Sequence, residues 1–254
     1  MRLDKLFSNL GLLSRSECKN AVKKGRITVN GLKTISPDMK IDPEKDEIYL
    51  DGEKIIAQQF VYYMFNKPSG VITANEDDKA PVVFDYIRDK RPDLSAVGRL
   101  DKDTTGLLLI TNDGQMNHRL LSSKYHVEKT YQALIDGQLT EDDIKKLAGG
   151  MDIGDDKPTL PARVRIIDGK TAETLIDMKR HEVNKTENSL SEIRAVELTI
   201  IEGRYHQVKR MFAALKKPVL GLHRSGFGPL ELDENLAPGE YRELTEEEIS
   251  LLRS

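Results

Sequence analysis

The sequence predicts an α+β protein with two unequal domains. Helix-period and strand-period apolar patterns alternate along its 254 residues, and a basic charge is concentrated in the first 33 residues. A polar, turn-rich stretch at residues 51–59 is the predicted linker. We therefore expect residues 1–58 to form a small domain with its linker, and residues 59–254 to form the larger domain.

The composition is typical of a soluble globular protein, with 38% hydrophobic and 32% charged residues. No apolar run approaches the roughly 18 residues of a membrane span, and no signal peptide is evident, so we expect a cytoplasmic protein without a membrane partner. The single Cys18 cannot form an internal disulfide, and the five histidines lack metal-ligand spacing. No metal site is expected. The net charge of −3 argues weakly against nucleic acid binding. The concentration of basic residues in the first 33 positions argues for it.

The N-terminal residues form a basic module, because residues 2–33 carry eight basic side chains and two acidic ones. An apolar stripe at helical spacing predicts a first helix that Gly11 ends: Leu3, Leu6, Phe7 and Leu10. Ser14 with Glu17 is a capping box for a second helix. The Asn30-Gly31 pair predicts a hairpin turn after it.

Basic side chains along this module could bind phosphate groups, although a solvated charged face explains the charge equally well. The candidate nucleic-acid contacts of the module are Arg2, Arg15, Lys19, Lys23 and Arg26.

A polar loop at residues 98–104 runs directly into an apolar run of strand length that an Asn-Asp-Gly turn ends at residues 112–114. The loop carries Arg99, Asp101 and Asp103. A carboxylate held at the end of a buried strand is typical of a catalytic acid, base or nucleophile. The local pattern alone favours an ordinary capping aspartate.

The elements around this loop alternate between strands and helices. A strand at residues 61–67 has aromatic side chains that we expect in the core rather than stacked on bases. A helix at 114–121 is followed by a strand that contains Tyr131, a helix that Thr140 caps, and a strand at 171–178. Residues 184–192 are polar and are predicted to be a hairpin-loop insertion.

The C-terminal part is predicted to contain a strand at residues 194–201 that turns into a helix. The buried face of that helix is Val208, Met211, Phe212 and Leu215. Basic and polar residues at the junction could bind phosphate or position a carboxylate, although an ordinary surface helix fits as well. Short strands at 219–222 and 230–232 precede a final helix capped by Thr245 and Glu248.

Residues 1–50 resemble the S4 RNA-binding domain. The resemblance is carried by Met1-Arg2-Leu3-Asp4-Lys5, the Ser-Arg-x-x-Cys helix start and Gly25-Arg26-Ile27-Thr28-Val29-Asn30-Gly31. It implies binding of structured RNA through backbone phosphates.

Three further motifs, in the same chain order, resemble those of the RsuA-type RNA pseudouridine synthases. They are Gly98-Arg99-Leu100-Asp101 with Thr105-Gly106-Leu107-Leu108-Leu109, then Glu128-Lys129-Thr130-Tyr131, then Glu202-Gly203-Arg204-Tyr205-His206-Gln207-Val208-Lys209-Arg210-Met211. The Tyr-His-Gln variant and the segment 236–242 resemble the small-subunit enzymes more than the large-subunit ones. The insertion at 184–192 and the segment 221–226 depart from the family pattern.

This resemblance implies a catalytic core built on a mixed, mainly antiparallel sheet with flanking helices. It implies that Asp101 is the essential aspartate, Tyr131 the active-site tyrosine and Lys209 the basic residue that pairs with the aspartate. The remaining candidate RNA contacts are Arg99, Arg204, His206, Gln207 and Arg210, with Leu222 packing on the flipped base. No cofactor is required, because the isomerisation gains neither atoms nor electrons.

The implied reaction is the isomerisation of a uridine to pseudouridine in 16S ribosomal RNA, at the family's uridine 516. The expected substrate is ribosomal RNA in a small-subunit assembly particle, and the expected state of the protein is a monomer. A large-subunit (23S) target is an alternative. A non-catalytic ribosome-assembly factor is another, although such a binder would have no need of Asp101, Tyr131 and Lys209 together.

Overall fold

The computed structural model describes residues 1–43, 45–55, 60–168 and 193–254. Up to residue 55 it contains two helices and a four-stranded antiparallel sheet in the order β2-β1-β3-β4. The elements are α1 (Leu3–Asn9), α2 (Arg15–Lys23), β1 (Ile27–Val29), β2 (Leu32–Lys33), β3 (Ile48–Leu50) and β4 (Glu53–Ile55).

Local sequence signals account for these elements. The capping box of Ser14 and Glu17 is present at the start of α2. Asn30 and Gly31 both adopt positive φ, at 51° and 78°, which is the two-residue turn that joins β1 to β2. The predicted apolar stripes of both helices pack on the sheet in one core cluster with Ile27 and Ile48. The two predicted helices and the first hairpin are confirmed.

The linker predicted at residues 51–59 is wrong for residues 51–55. Asp51 and Gly52, with φ of 54° and 86°, form a second two-residue turn, and β4 follows it. The Asp51 carboxylate also forms a salt bridge with Arg26. The Asp51-Gly52 pair therefore indicates a hairpin turn and not a linker. Residues 56–59 lie outside the described residues.

The larger sheet has nine strands within the described ranges, in the order β13-β5-β7-β11-β8-β10-β9, with β6 paired to β7 and β12 to β11. Its strands are β5 (Tyr62–Lys67), β6 (Ser95–Ala96), β7 (Thr105–Thr111), β8 (Lys129–Asp136), β9 (Arg163–Ile167), β10 (Ile193–Ile200), β11 (Val219–Phe227), β12 (Leu230–Glu231) and β13 (Tyr241–Glu243). Its helices are α3 (Gly114–Leu121), α4 (Glu141–Gly149), α5 (Gln207–Ala214) and α6 (Glu246–Arg253).

The pairing in this sheet is antiparallel except between β7 and β11, which are parallel. The predicted α+β class with a mixed, mainly antiparallel sheet and flanking helices is confirmed. Only two residue pairs register across the parallel contact, Thr105 with His223 and Gly106 with Arg224. Gly106 has φ of 100°, and a Cβ there would lie 2.3 Å from the Arg224 carbonyl oxygen. A side chain at residue 106 would therefore prevent this contact.

Two apolar clusters cover the faces of the sheet. The predicted stripe of α5 and the ring of Tyr131 belong to the first cluster. The aromatic side chains of β5 are buried, so the prediction that they pack in the core is confirmed. The short strand predicted at 219–222 is instead part of the nine-residue β11. The predicted strand at 171–178 and insertion at 184–192 lie outside the described residues.

None of the helices in the described part of the chain has the length and apolar character needed to cross a bilayer.

A buried ion pair joins α4 to the chain after α5. Asp143 is 7% exposed, and its carboxylate lies 2.9 Å from Lys217 Nζ. It also accepts hydrogen bonds from the backbone and hydroxyl of Thr140. Burial opposes the charge of this carboxylate, but Lys217 and Thr140 outweigh burial and lower the pKa of Asp143 to about 2.

Asp143→Asn should lower the free energy of unfolding by about 2 kcal/mol at pH 7. Because the folded-state pKa lies below the unfolded value of 3.8, this stabilisation is present above pH 4 and is lost as the pH falls from about 4 to 2. Urea unfolding at several pH values would measure it, and the curves of the variant and the wild type should converge near pH 2.

Asp142→Asn is the matched control, because Asp142 and its partner Lys146 are 72% and 56% exposed. It should change stability by less than about 0.5 kcal/mol. Equal losses of unfolding free energy in the two variants would contradict the stabilising role of the buried pair of Asp143 and Lys217.

Candidate active site

A cavity of about 620 Å³ opens beside the parallel contact between β7 and β11. The loop at residues 97–102 forms one wall, and another is formed by residues 200–209, which comprise the turn before α5 and the first residues of that helix. Side chains of β8 and β11 line its inner surface. The motifs that the sequence separates by about a hundred residues therefore meet around one space.

Asp101 lies in the loop four residues before the start of β7 and is partly exposed to the cavity. One of its carboxylate oxygens lies 3.0 Å from Lys209 Nζ, and the other lies 3.4 Å from His206 Nε2. Both partners come from the start of α5. The carboxylate is therefore held between the loop and the helix with a positive charge directly beside it.

Lys209 connects two carboxylates, because its Nζ also lies 2.6 Å from Asp103. Burial alone would lower the pKa of Lys209, but the two carboxylates raise it above its ordinary value. For Asp103, burial is outweighed by the hydrogen bond from Lys209, which lowers the pKa of that carboxyl. Lys209 therefore stays protonated at neutral pH.

Lys67, at the end of β5, fixes the same loop from its buried side. Its side chain is fully buried, and Nζ donates to the carbonyl oxygens of Pro68, Lys102 and Thr104 at 3.1, 3.2 and 2.8 Å. Burial lowers the pKa of Lys67 to about 8, so the ammonium form still predominates at pH 7. Two of the three acceptors lie one and three residues after Asp101, so Lys67 anchors the loop that carries this carboxylate.

Tyr131 and Leu222 form the inner wall of the cavity. Each is 8% exposed, and Tyr131 on β8 registers with Arg224 on the neighbouring β11. Side chains two residues apart share a strand face, so Leu222 and Arg224 point to the same side as Tyr131. An aromatic ring and an apolar side chain on one face suit the packing of a flat base.

The turn before α5 is built from internal hydrogen bonds. Arg204 donates to Glu202, to Asp155 and to the carbonyl oxygens of Lys157 and Pro158. Arg210 donates to the same Asp155 and to two further carbonyl oxygens. These guanidinium groups therefore fix the segment around residue 155 against the turn.

Gln207 is 3% exposed and links the Glu202 carboxylate to the backbone of Arg204. His206 adopts φ of 48°, and its ring stacks on that of Tyr205 with centroids 3.8 Å apart. The rigid turn thus presents the His206 ring next to Asp101.

The predicted RNA contacts lie in two regions of the structure. Arg99, His206 and Leu222 line the cavity. Arg204 and Gln207 also line it, but they and Arg210 have the internal partners described above. In the N-terminal domain Arg15, Lys19 and Lys23 are exposed on α2, whereas Arg2 pairs with Asp4 and Arg26 with Asp51. RNA contact by each of these residues stays a prediction.

Several site residues were missed by the sequence analysis: Lys67, Asp155, Lys129 and Arg224. Lys67 ends an apolar strand and Arg224 lies between the short strands predicted at 219–222 and 230–232, so neither position indicated a buried cation. The sequence signal for Lys129 was its position two residues before Tyr131, in the same family motif. No group of His, Cys, Asp and Glu side chains that could hold a metal ion is found among the residues described.

A family model described as RNA pseudouridylate synthase matches residues 61–214, and an S4 domain model matches residues 1–48. The chain belongs to the RNA pseudouridine synthase family. It is 42% identical over 254 residues to the "Uncharacterized RNA pseudouridine synthase YtzG" of Bacillus subtilis, covering 99% of this chain and 98% of that protein. It is 40% identical to the "Ribosomal small subunit pseudouridine synthase A" of Haemophilus influenzae, covering 99% of both.

The fold agrees with this assignment. A solved structure described as "Crystal structure of pseudouridylate synthase" matches with a TM-score of 0.64 and 39% identity, and the match covers 99% of both chains. The protein is thus an isomerase of RNA uridines that carries an S4 RNA-binding domain. Most residues that line the cavity around Asp101 lie within residues 61–214, whereas Leu222, Arg224 and Phe227 come from the chain that follows.

Lys67→Met should reduce kcat for pseudouridine formation by about 10²-fold, because a displacement of about 1 Å at the reacting groups has an effect of this size. The substitution leaves three carbonyl oxygens around the Asp101 loop without their donor. Single-turnover assays below the melting temperature of the variant would measure the loss.

Lys145→Met is the control, because Lys145 is exposed on α4 and does not line the cavity. Wild-type kcat in a folded Lys67→Met variant would refute the positioning role of Lys67.

Lys209→Met should lower kcat by about 10-fold or more, because Asp101 and Asp103 would lose their shared counter-charge. Lys209→Arg keeps the charge and should retain more activity than the methionine variant. Single-turnover rates at saturating enzyme would separate this effect from RNA binding. Equal rates for the two variants would show that the charge is not the property that matters.

Proposed function

We propose that the protein isomerises one uridine of 16S ribosomal RNA to pseudouridine in small-subunit assembly particles, and that uridine 516 is the target. The observation that carries the proposal is the Asp101 carboxylate beside Lys209, at the opening of a cavity whose inner wall is Tyr131 and Leu222. The small-subunit target is supported by the name of the Haemophilus influenzae relative, which is similar to this chain over its whole length.

In this reaction the C1′–N1 glycosidic bond breaks, the uracil turns within the site, and a C1′–C5 bond forms. C5 then loses a proton and N1 gains one, so the product has the same atoms as the substrate. Asp101 would either attack the substrate as a nucleophile or remove the 2′ proton of the sugar as a base. Both roles need a carboxylate that is aimed at the substrate. Lys209 places a positive charge 3.0 Å from Asp101, and Lys67 anchors the loop that carries this carboxylate.

The uracil would pack against the Tyr131 ring and the Leu222 side chain while it turns. Bringing a uridine out of a helix costs a few kcal/mol, which contacts between cations and RNA phosphates offset. Arg99 is exposed at the cavity opening and is the predicted residue best placed for such a contact.

We propose that residues 1–58 provide the affinity for RNA and that residues 59–254 catalyse the reaction. Arg15, Lys19 and Lys23 form the exposed basic side of α2 and would contact RNA phosphates. We expect the enzyme to act as a monomer in the cytoplasm, where ribosomal particles assemble.

Asp101→Asn should abolish pseudouridine formation while preserving the fold and binding to particles, because the amide keeps the size of the side chain and removes its charge. The measurement is nucleotide-resolution pseudouridine mapping of 16S and 23S RNA after incubation of assembly particles with either protein. A single new site in 16S RNA, present only with the wild type, is the expected result.

Other outcomes of this mapping identify a different function. A new site in 23S RNA would replace the proposed target with a large-subunit one. No site with either protein, on particles shown to bind both, would indicate an assembly factor without activity. Particles and naked RNA run in parallel would show which form is the substrate.

A further inference from the structure

The inner end of the cavity holds two buried cations. Lys129 on β8 is 9% exposed and Arg224 on β11 is 2% exposed, and both line the cavity. Lys129 registers with Phe227 across the two strands, and the Phe227 ring centroid lies 5.5 Å from Lys129 Nζ and 5.1 Å from the Arg224 guanidinium carbon. The two cations therefore share one aromatic neighbour.

Neither cation has a carboxylate partner in the part of the chain that the structure describes. Lys129 Nζ donates to the Val127 carbonyl oxygen at 2.6 Å, and Arg224 Nε donates to the Leu107 carbonyl oxygen at 2.7 Å. Arg224 Nη2 is buried and has no hydrogen-bond partner among the described residues. A residue that lines the cavity thus has a buried donor without an acceptor.

The other buried cations described in this domain have either carboxylate partners or several carbonyl acceptors. Lys209 contacts two carboxylates, Lys217 contacts Asp143, and Lys67 donates to three carbonyl oxygens. A buried charge without a counter-charge is costly, and a second cation beside it adds repulsion. The arrangement of Lys129 and Arg224 therefore suits a ligand that brings negative charge.

We propose that Lys129 and Arg224 form a phosphate subsite, which binds the backbone phosphate next to the target uridine when that nucleotide enters the cavity. This inference rests on the proposed function in that it takes RNA as the ligand of the cavity. A uracil carbonyl could accept a hydrogen bond from Arg224 but would leave both positive charges uncompensated. A phosphate oxygen satisfies the unused donor and supplies the missing charge.

The electrostatics agree with an unliganded anion site. Burial, together with the charge of Arg224, lowers the pKa of Lys129 to about 8. Lys129 is therefore still mainly protonated at neutral pH and available to bind an anion. The phosphate would hold the nucleotide by its backbone, which leaves the base free to turn against Tyr131 and Leu222.

The test is to compare the binding of uridine, uridine 5′-monophosphate and uridine 3′-monophosphate to the full-length protein, by calorimetric or NMR titration. At least one nucleotide should bind the wild type about 10-fold more tightly than uridine does, as expected for charge-assisted hydrogen bonds. Lys129→Gln should reduce this preference to about 2-fold or less. The nucleotide that shows the preference identifies on which side of the uridine the bound phosphate lies.

Two further variants make the comparison decisive. Lys145→Gln removes one exposed lysine outside the cavity lining and should keep the wild-type preference. Lys129→Met replaces the lysine with an apolar side chain of similar length and serves if the glutamine variant does not fold. Circular dichroism and melting temperature establish that each variant is folded.

Equal binding of uridine and both nucleotides to the wild type, including no detectable binding, would overturn the subsite. So would an unchanged preference in the folded Lys129 variant. The same protein preparations tested by pseudouridine mapping report on the proposed function separately, because a phosphate preference that depends on Lys129 can be present whether or not 16S RNA is modified.

Discussion

The close contact between Gly106 and Arg224 is the constraint on which the catalytic part of the molecule depends. It joins β13, β5 and β7 to β11, β8, β10 and β9, and only two residue pairs register across it. Because Gly106 has no side chain, the backbones can approach closely enough to place the Asp101 loop beside the face of β11 that carries Leu222. The cavity lies between this loop and the residues of β8 and β11 that line it.

Charged groups then fix what this contact brings together. Lys67 holds the Asp101 loop through neutral carbonyl oxygens on its buried side, and Lys209 holds it through carboxylates on the side of α5. The turn before α5 is in turn rigid because Arg204 and Arg210 share Asp155. The Asp101 loop is thus held in place by Lys67 and Lys209 before any substrate binds. A catalytic group needs a position fixed in this way.

Elements with strong local signals could be predicted from sequence. The Ser14–Glu17 and Thr245–Glu248 capping boxes and the Asn30-Gly31 turn all form as expected. One prediction failed because of partners far along the chain. The strand predicted at 219–222 continues to Phe227 as β11, because β8 pairs with it over this length. The Asp-Gly turn at residue 51 was confused with a linker because both use the same residues. The candidate Asp101 was visible as a loop carboxylate, whereas its pairing with Lys209 came only from the family resemblance.

The chain order of the two sheets has a consequence for how the protein is synthesised. All strands of the four-stranded sheet lie within residues 27–55, so the RNA-binding part can form its pairs soon after it leaves the ribosome. The strand β5 instead needs β13, which ends at residue 243, and the Asp101 loop needs β11. Long-range pairing of this kind delays folding. During synthesis the RNA-binding domain can therefore fold before the catalytic domain does.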